Sequence, residues 1–471
     1  MAAHAQAGHL YPGQKRAFIT TSLSERETLF SDLDLYRLLI PIIIEQFLNS
    51  FMGMADTMMI SNIGSSAISA VSLTDSINTL VIQIFAAVAA GGTVICSQYI
   101  GQHEPKKCNR AARQLLLIIA VLSCSVAVAA ILLRRPLLSF VFGAVPADVM
   151  EASLLYFAIT ALSFPFFAMF QGGAALYRAS GNSALPMRIS VITNLMNICG
   201  NAVLIFVIPM GVAGAALSTL LSRIISAVWI LSCLHHRGNM IVIRDYLRIR
   251  PDHNMIRKVM YLSIPSGIEN GMFQFGKLAI QSSVSTLGTT AIAAQAMAAI
   301  FENLDGIAGI GIGIGLMTIV GQCIGAGKKE QAKYYIRKLA FWAEISILLS
   351  CAATYLAAGK ITAAAGMEPD AAALCLKMVL IITVVKPFLW VPSFIPPYGF
   401  RAAGDVRFTM LISSLSMWIF RVALTVWMIR VLHFGIIAVW IGMFTDWFVR
   451  GIVYTVRFVR GHCMGDIRRM K

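Results

Sequence analysis

Twelve apolar runs, each about as long as the ~20 residues needed to cross ~30 Å of hydrocarbon, commit this chain to folding in a bilayer. They fall at roughly 34–61, 68–95, 112–133, 152–177, 186–208, 212–234, 259–286, 292–320, 339–358, 371–398, 408–430 and 435–456. The short links carry helix breakers, as in Asn62-Ile63-Gly64, Pro209-Met210-Gly211, Leu287-Gly288 and His433-Phe434-Gly435. Composition agrees: 58% of residues are hydrophobic and 13% charged, where a soluble protein carries roughly 25% charged residues. Disorder, a fibrous repeat and a cytosolic enzyme are excluded, and no stretch is left for a soluble catalytic domain. The first ~32 residues are polar and lead into the run from Leu35 without a small-residue cleavage site, so a removable signal peptide is not expected.

The formal charge of +16 would suggest nucleic acid in a soluble protein. Here Lys and Arg sort by side of the membrane. With the amino terminus placed inside, 28 fall in seven inside segments and four (Arg134, Arg135, Lys360, Arg430) in outside loops. Basic residues in short loops are retained in the cytoplasm, so both termini are expected there, in an inner membrane. Charge spread over seven short segments does not make a nucleic-acid surface. The nine cysteines form no Cys-x-x-Cys pair and read as small hydrophobes, and no metal site is expected. Gly309 to Gly315 alternates Gly and Ile inside a span, which suits helix packing rather than a dinucleotide. Gly325-Ala326-Gly327-Lys328-Lys329 lacks the Ser or Thr of a phosphate-binding loop, so no ATP site and no cofactor is expected.

Sliding the chain against itself by 224 positions superposes Ile40-Pro41, Ile44-Glu45, Ser61, Gly64, Gln98 and Ile100-Gly101 on Ile264-Pro265, Ile268-Glu269, Ser285, Gly288, Gln322 and Ile324-Gly325. One gap later, Arg178-Ala179-Ser180-Gly181-Asn182 answers Arg401-Ala402-Ala403-Gly404-Asp405. An even number of spans per repeat makes the halves parallel, related by an axis along the membrane normal. The expected fold is an all-α integral membrane protein of twelve transmembrane helices in two six-helix lobes. The expected parts are a cytoplasmic segment 1–33, an amino lobe 34–234, a cytoplasmic linker 235–258, a carboxyl lobe 259–456 and a cytoplasmic tail 457–471.

Acids inside spans cost ~2.5–3.5 kcal/mol each at a helix centre, which makes them functional candidates. Glu45, Asn49, Met52 and Asp56 fall at i, i+4, i+7 and i+11, on one face of the first helix. Asn197 and Asn201 share a face of the fifth helix, with Asn194 nearby, and Asp75 and Asn78 stand in the second. A hydrogen-bonding row between helices, or snorkelling of Glu45 to the membrane edge, is the structural alternative. The carboxyl lobe offers Glu269, Lys277, Glu302, Asp305, Glu344 and Lys386, where a Glu269–Lys277 or Glu302–Lys386 pair is weighed against a substrate role. The 24 Met and 26 Phe suit an adaptable cavity and lipid-facing surfaces alike.

Parallel six-plus-six repeats occur in more than one transporter family, so the motifs decide. Pro41 with Ala55-Asp56-Thr57-Met58-Met59-Ile60-Ser61-Asn62-Ile63-Gly64, Gly211-Val212-Ala213-Gly214-Ala215-Ala216-Leu217-Ser218-Thr219, Gly325-Ala326-Gly327 and Phe400-Arg401-Ala402-Ala403-Gly404-Asp405 occur in order over residues 35 to 460. Together they resemble the multidrug and toxic compound extrusion (MATE) family. The resemblance implies an antiporter that expels small organic, often cationic, amphipathic compounds in exchange for Na⁺ or H⁺, its lobes rocking about a central cavity within the membrane lipid. One chain holds both lobes, so a monomer suffices. It also implies a cation-coupling site of Asp56, Asn197, Asn201 and Thr219, and some relatives couple through a Glu of the seventh helix, where this chain has Glu269 four residues after Pro265. Asn201 departs from the carboxylate many relatives keep, which implies oxygen ligands for a monovalent cation rather than a two-carboxylate proton relay. A lipid-linked oligosaccharide flippase of the wider superfamily is the transport alternative, and a membrane-embedded lipid enzyme the catalytic one. The latter needs a metal-binding carboxylate pair or a nucleophile with its base near one interface.

Overall fold

The computed structural model describes residues 28–461 apart from 144, 145, 237, 245, 247 and 248. Most of the expected segment 1–33 and the end of the tail 457–471 lie outside the described residues. Each of the twelve apolar runs falls on helix. In chain order these are α1 Asp32–Ser61, α2 Ser65–Gly101, α3 Pro105–Leu132, α4 Arg134–Phe142, α5 Ala147–Leu162, α6 Phe164–Ala179, α7 Ala184–Ala202, α8 Val212–Leu234, α9 His253–Val284, α10 Thr289–Gly325, α11 Lys329–Ala364, α12 Pro369–Ala402, α13 Val406–Ser416, α14 Leu424–Arg430 and α15 Ile437–Val459. Wide-turn π segments extend α7 over Val203–Val207 and join α13 to α14 over Met417–Ala423.

The structure refines the twelve expected spans. Among the described residues ten helices are single, long and apolar enough to cross a membrane, and an eleventh crossing is the pair α5 and α6, bent by 41°. Pro165 near the start of α6 lacks the N–H that would continue the ladder, so the run breaks at Ser163. The remaining run lies in α9. That helix is 32 residues long, but Glu269, Asn270, Gln274 and Lys277 leave it less apolar than the others. Arg134 and Arg135, expected in a loop, open the short helix α4.

The repeat is visible in the turns. Gly64 and Gly288, 224 positions apart, take φ of 138° and 91° between the first and second helices of each lobe, a region L side chains avoid. The lobes meet through α1 with α10 and α2 with α9 and α10. Here the glycines let backbones touch. A methyl group at Gly101 would strike the Gln322 carbonyl, and one at Gly325 would strike that of Gln98. Gly91 faces Ser263 and Gly315 faces Leu39, again repeat equivalents. Gln98 donates through Nε2 to the Ala402 carbonyl at 2.8 Å, and Gln322 to that of Ala179 at 2.9 Å. These contacts run from the Lys/Arg-rich end of the bundle to about its middle. Beyond it, Gly53, Gly64, Gly271 and Gly288 have open space around them.

Two further ties join the lobes at the basic end. The backbone N–H groups of Leu29 and Phe30 donate to Gln331 Oε1 at 3.0 Å and Tyr335 Oη at 2.9 Å on α11, and Asp32 pairs with Lys338. In the inter-lobe segment, Gln114 of α3 donates to the Arg250 carbonyl and accepts from the Asp252 N–H, and Arg110 pairs with Asp252.

Candidate functional site

Helix α1 sets its polar stripe toward the lobe interior, as the spacing predicts. Glu45 meets Arg178 of α6 at 2.8 Å. Asn49 Oδ1, on an exposed residue, lies 3.4 Å from both Ser190 Oγ and Asn194 Nδ2 of α7. Asp56 Oδ1 accepts from Asn201 Nδ2 at 2.7 Å. Asn197, fully buried, satisfies its surroundings when its amide nitrogen donates to Asp56 Oδ1 at 3.1 Å and its oxygen accepts from Thr219 N at 3.1 Å and Thr219 Oγ1 at 3.2 Å. The four expected cation-coupling residues, from α1, α7 and α8, are therefore one connected group. Asn201 Oδ1 is buried and receives no hydrogen bond. With the Asp56 carboxylate it leaves oxygens suited to a hard monovalent cation.

Asp75 lies on α2 with Asn78 Nδ2 at 3.1 Å and the Tyr156 hydroxyl at 3.4 Å, and Asn78 reaches Thr160 Oγ1 at 3.4 Å. Sequence reasoning missed Arg223. It stacks on Phe167 at 4.8 Å, donates to Ser163 Oγ at 2.7 Å where α5 breaks into α6, and interacts electrostatically with Asp56 and Asp75. The signal was available: Arg223 lies four residues after Thr219, on the same face of α8.

The first correction concerns Glu45. It is 2% exposed, in a buried ion pair, and does not snorkel to the membrane edge. The second concerns Glu269, which pairs with Arg401 of α12 at 2.7 Å and not with Lys277. Eight residues of helix separate Glu269 from Lys277 by ~12 Å of rise, beyond side-chain reach. Glu45–Arg178 and Glu269–Arg401 are repeat equivalents, down to the unpartnered atoms: both pairs leave the Glu Oε2 and the Arg Nε without a hydrogen bond. Each is a pin between the first and fourth spans of its lobe.

The rest of the carboxyl lobe does not copy the amino lobe. Glu302 and Lys386 form the pair considered from the sequence, at 3.1 Å, with Lys386 fully buried. Asp305 is turned to α11, where it accepts from Thr354 Oγ1 and lies 3.8 Å from Cys351 Sγ. Glu344, half-buried, has no partner among the described residues. A further group was not anticipated: Asp446 of α15 accepts from Ser416 Oγ at 2.6 Å, with Arg450 at 3.4 Å and Arg421 at 4.0 Å. Asp446 and Arg450 are i, i+4 in an apolar run, a legible signal. Arg421, in the π segment, could only be placed by its fold. Shifted by 224, Asp56 corresponds to Ile280 and Gly53 to Lys277, so an acid is lost and a cation gained.

The MatE family model matches residues 41–203 and again 265–427, two blocks offset by the same 224 positions. The uncharacterized transporter YisQ of Bacillus subtilis is 27% identical over 432 residues, spanning 89% of this chain and 92% of its own. The probable multidrug resistance protein NorM of Thermotoga maritima is 25% identical over 440 residues, 91% of this chain and 92% of its own. A solved multidrug resistance MATE family transporter in its outward-facing conformation shares the fold, with a TM-score of 0.85 at 18% identity over 91% of this chain and 95% of that one. The two matched blocks cover well over half of the chain, which therefore belongs to the multidrug and toxic compound extrusion family of membrane transporters.

Proposed function

We propose that this transporter is an inner-membrane antiporter that exports small organic, amphipathic compounds in exchange for Na⁺ or H⁺, with Asp56 as the ion-carrying group. The observation that carries the reading is the Asp56 carboxylate, inside a span, held by the amides of Asn197 and Asn201 on α7, the first of which is locked in turn by Thr219 of α8. An ionisable group in that position is costly unless it is used. Asn197 and Thr219 fix the carboxylate, and Asn201 supplies one donor to it and one free oxygen beside it. Ion and substrate are linked through the lobe conformation: a site that binds its ion more tightly when open to one side is biased by that ion toward that side. The basic end is cytoplasmic, and the opposite end, where Gly53, Gly64, Gly271 and Gly288 have open space around them, faces the outside. One chain carries both lobes and works as a monomer.

The test is ethidium efflux from loaded cells with Na⁺ and H⁺ gradients imposed separately, comparing wild type with Asp56→Asn. Efflux driven by one gradient and reduced at least tenfold in the variant is expected. An Asp56→Asn protein that pumps as well as wild type sinks the amino-lobe site. A wild type that moves nothing under either gradient sinks the export reading.

A further inference from the structure

The two lobes leave opposite charges unneutralised, and this extends the export reading, on which it rests, to the class of substrate. In the amino lobe the inward-facing group holds two carboxylates, Asp56 and Asp75, and one cation, Arg223. In the carboxyl lobe the electrostatically linked group holds four cations, Lys277, Lys386, Arg421 and Arg450, and three carboxylates, Glu302, Asp305 and Asp446, with Glu344 of α11 outside it. Those carboxylates are engaged: Glu302 by Lys386, Asp305 by Thr354 and Cys351, Asp446 by Ser416 and Arg450 and, at the 4.0 Å limit, by Arg421.

Lys277 is left over. It is exposed about two turns before the outer end of α9, interacts electrostatically with Glu302 of α10 and Arg421 of the π segment, and makes no hydrogen bond or ion pair to a described residue. Its ammonium lies 5.1 Å from the centre of the Phe273 ring, and the Arg421 guanidinium lies 5.3 Å from the same centre. The two cations are therefore on the order of 10 Å apart or less, in mutual repulsion that an anion between them relieves. Arg421 is 9% exposed and its buried Nε has no acceptor. An aromatic ring beneath two under-partnered cations is a receptor for the acidic group of an amphipathic molecule. Lys277 is the repeat equivalent of Gly53, three residues before Asp56, so the two charged sites stand within roughly 5 Å of the same depth on opposite lobes.

We propose that Lys277 and Arg421, over Phe273, bind a carboxylate or phosphate of the exported compound, and that the preferred substrate is an amphipathic zwitterion whose positive end faces Asp56 and Asp75. The acidic anchor does not compete with the coupling ion, whereas the positive end does.

The test is binding of a matched dye pair to the purified full chain in phosphatidylcholine nanodiscs, read by fluorescence polarisation. Rhodamine 110 carries a carboxyl group beside its cationic ring system, and rhodamine 123 is its methyl ester. The acid is expected to bind roughly tenfold more tightly than the ester, the effect of one charge-assisted contact. Lys277→Met and Arg421→Gln should each bring the ratio near one, and Lys277→Arg should keep it. A wild-type ratio of one, or a ratio unchanged in Lys277→Met, overturns the site. So does a Lys277→Met protein that loses affinity for both dyes by the same factor, because that marks a structural role. A ratio that survives in phosphatidylglycerol discs supports a substrate anion, and one that collapses there assigns the cations to a lipid phosphate and overturns the proposal. Binding needs no gradient, so a protein that fails to export can still show the ratio, and a ratio of one leaves export untouched.

Discussion

The amino and carboxyl lobes agree where they hold themselves and each other together, and differ where a solute would sit between them. Glu45–Arg178 and Glu269–Arg401 are the same pin in both lobes, and Gln98 and Gln322 reach across to equivalent carbonyls. Yet the Asp56, Asn197, Asn201 and Thr219 group has no counterpart: shifted by 224, Asp56 becomes Ile280. A duplication that kept both halves of its frame was free to change its charged interior, with Asp56 answered by Ile280 and Gly53 by Lys277.

The largest test of the shared frame is to strip one arginine from a pin. Arg178→Met and Arg401→Met each leave a buried Glu uncompensated, and each should destabilise the protein by ~3–5 kcal/mol in thermal unfolding of the purified transporter. The double variant Glu45→Met/Arg178→Met should recover most of that loss. Effects differing severalfold between the lobes would break the equivalence. The contact between lobes comes next. Gly101→Ala and Gly325→Ala place a methyl group against a carbonyl of the facing lobe, so each should cost ~1–3 kcal/mol of closure at the basic end. The readout is faster labelling of a cysteine introduced there, equally in both variants. The smallest effect sharpens the difference. Thr219→Val removes the hydroxyl donor to Asn197 and keeps the backbone one, so coupling-ion affinity should fall about two- to tenfold, the worth of one net hydrogen bond. The same change at Thr425, whose hydroxyl reaches only the Ala438 carbonyl at 3.4 Å, should leave it alone.

Local pattern made much of this legible. The spans follow from hydropathy, the parallel lobes from self-similarity, and the Glu45-Asn49-Asp56 face from helical periodicity, because each depends on neighbours in the chain. Pairings across 133 positions, as in Glu45 with Arg178, depend on which helices pack, and one copy of the sequence does not state that. The repeat holds the clue, since both the Glu and the Arg of the pair recur, as Glu269 and Arg401. The break at Ser163 was marked by Pro165 and masked by the apolarity of Phe164, Phe166 and Phe167 around it. Arg421 sits in a wide π turn, and a turn of altered pitch rotates side chains away from where a 3.6-residue period would put them.

The strap formed by Leu29, Phe30 and Asp32 on α11 has a mechanical meaning. Together with the segment that joins the lobes, it ties them twice at the same end, so parting them there means tearing three hydrogen bonds, one of them from the Tyr335 hydroxyl to the Phe30 carbonyl, and an ion pair before the packed glycines can separate. The far end has no such fastening among the described residues. The body is built like a hinged clasp whose spring is the strap, and a bulky tag fused immediately ahead of Leu29 would press on that spring.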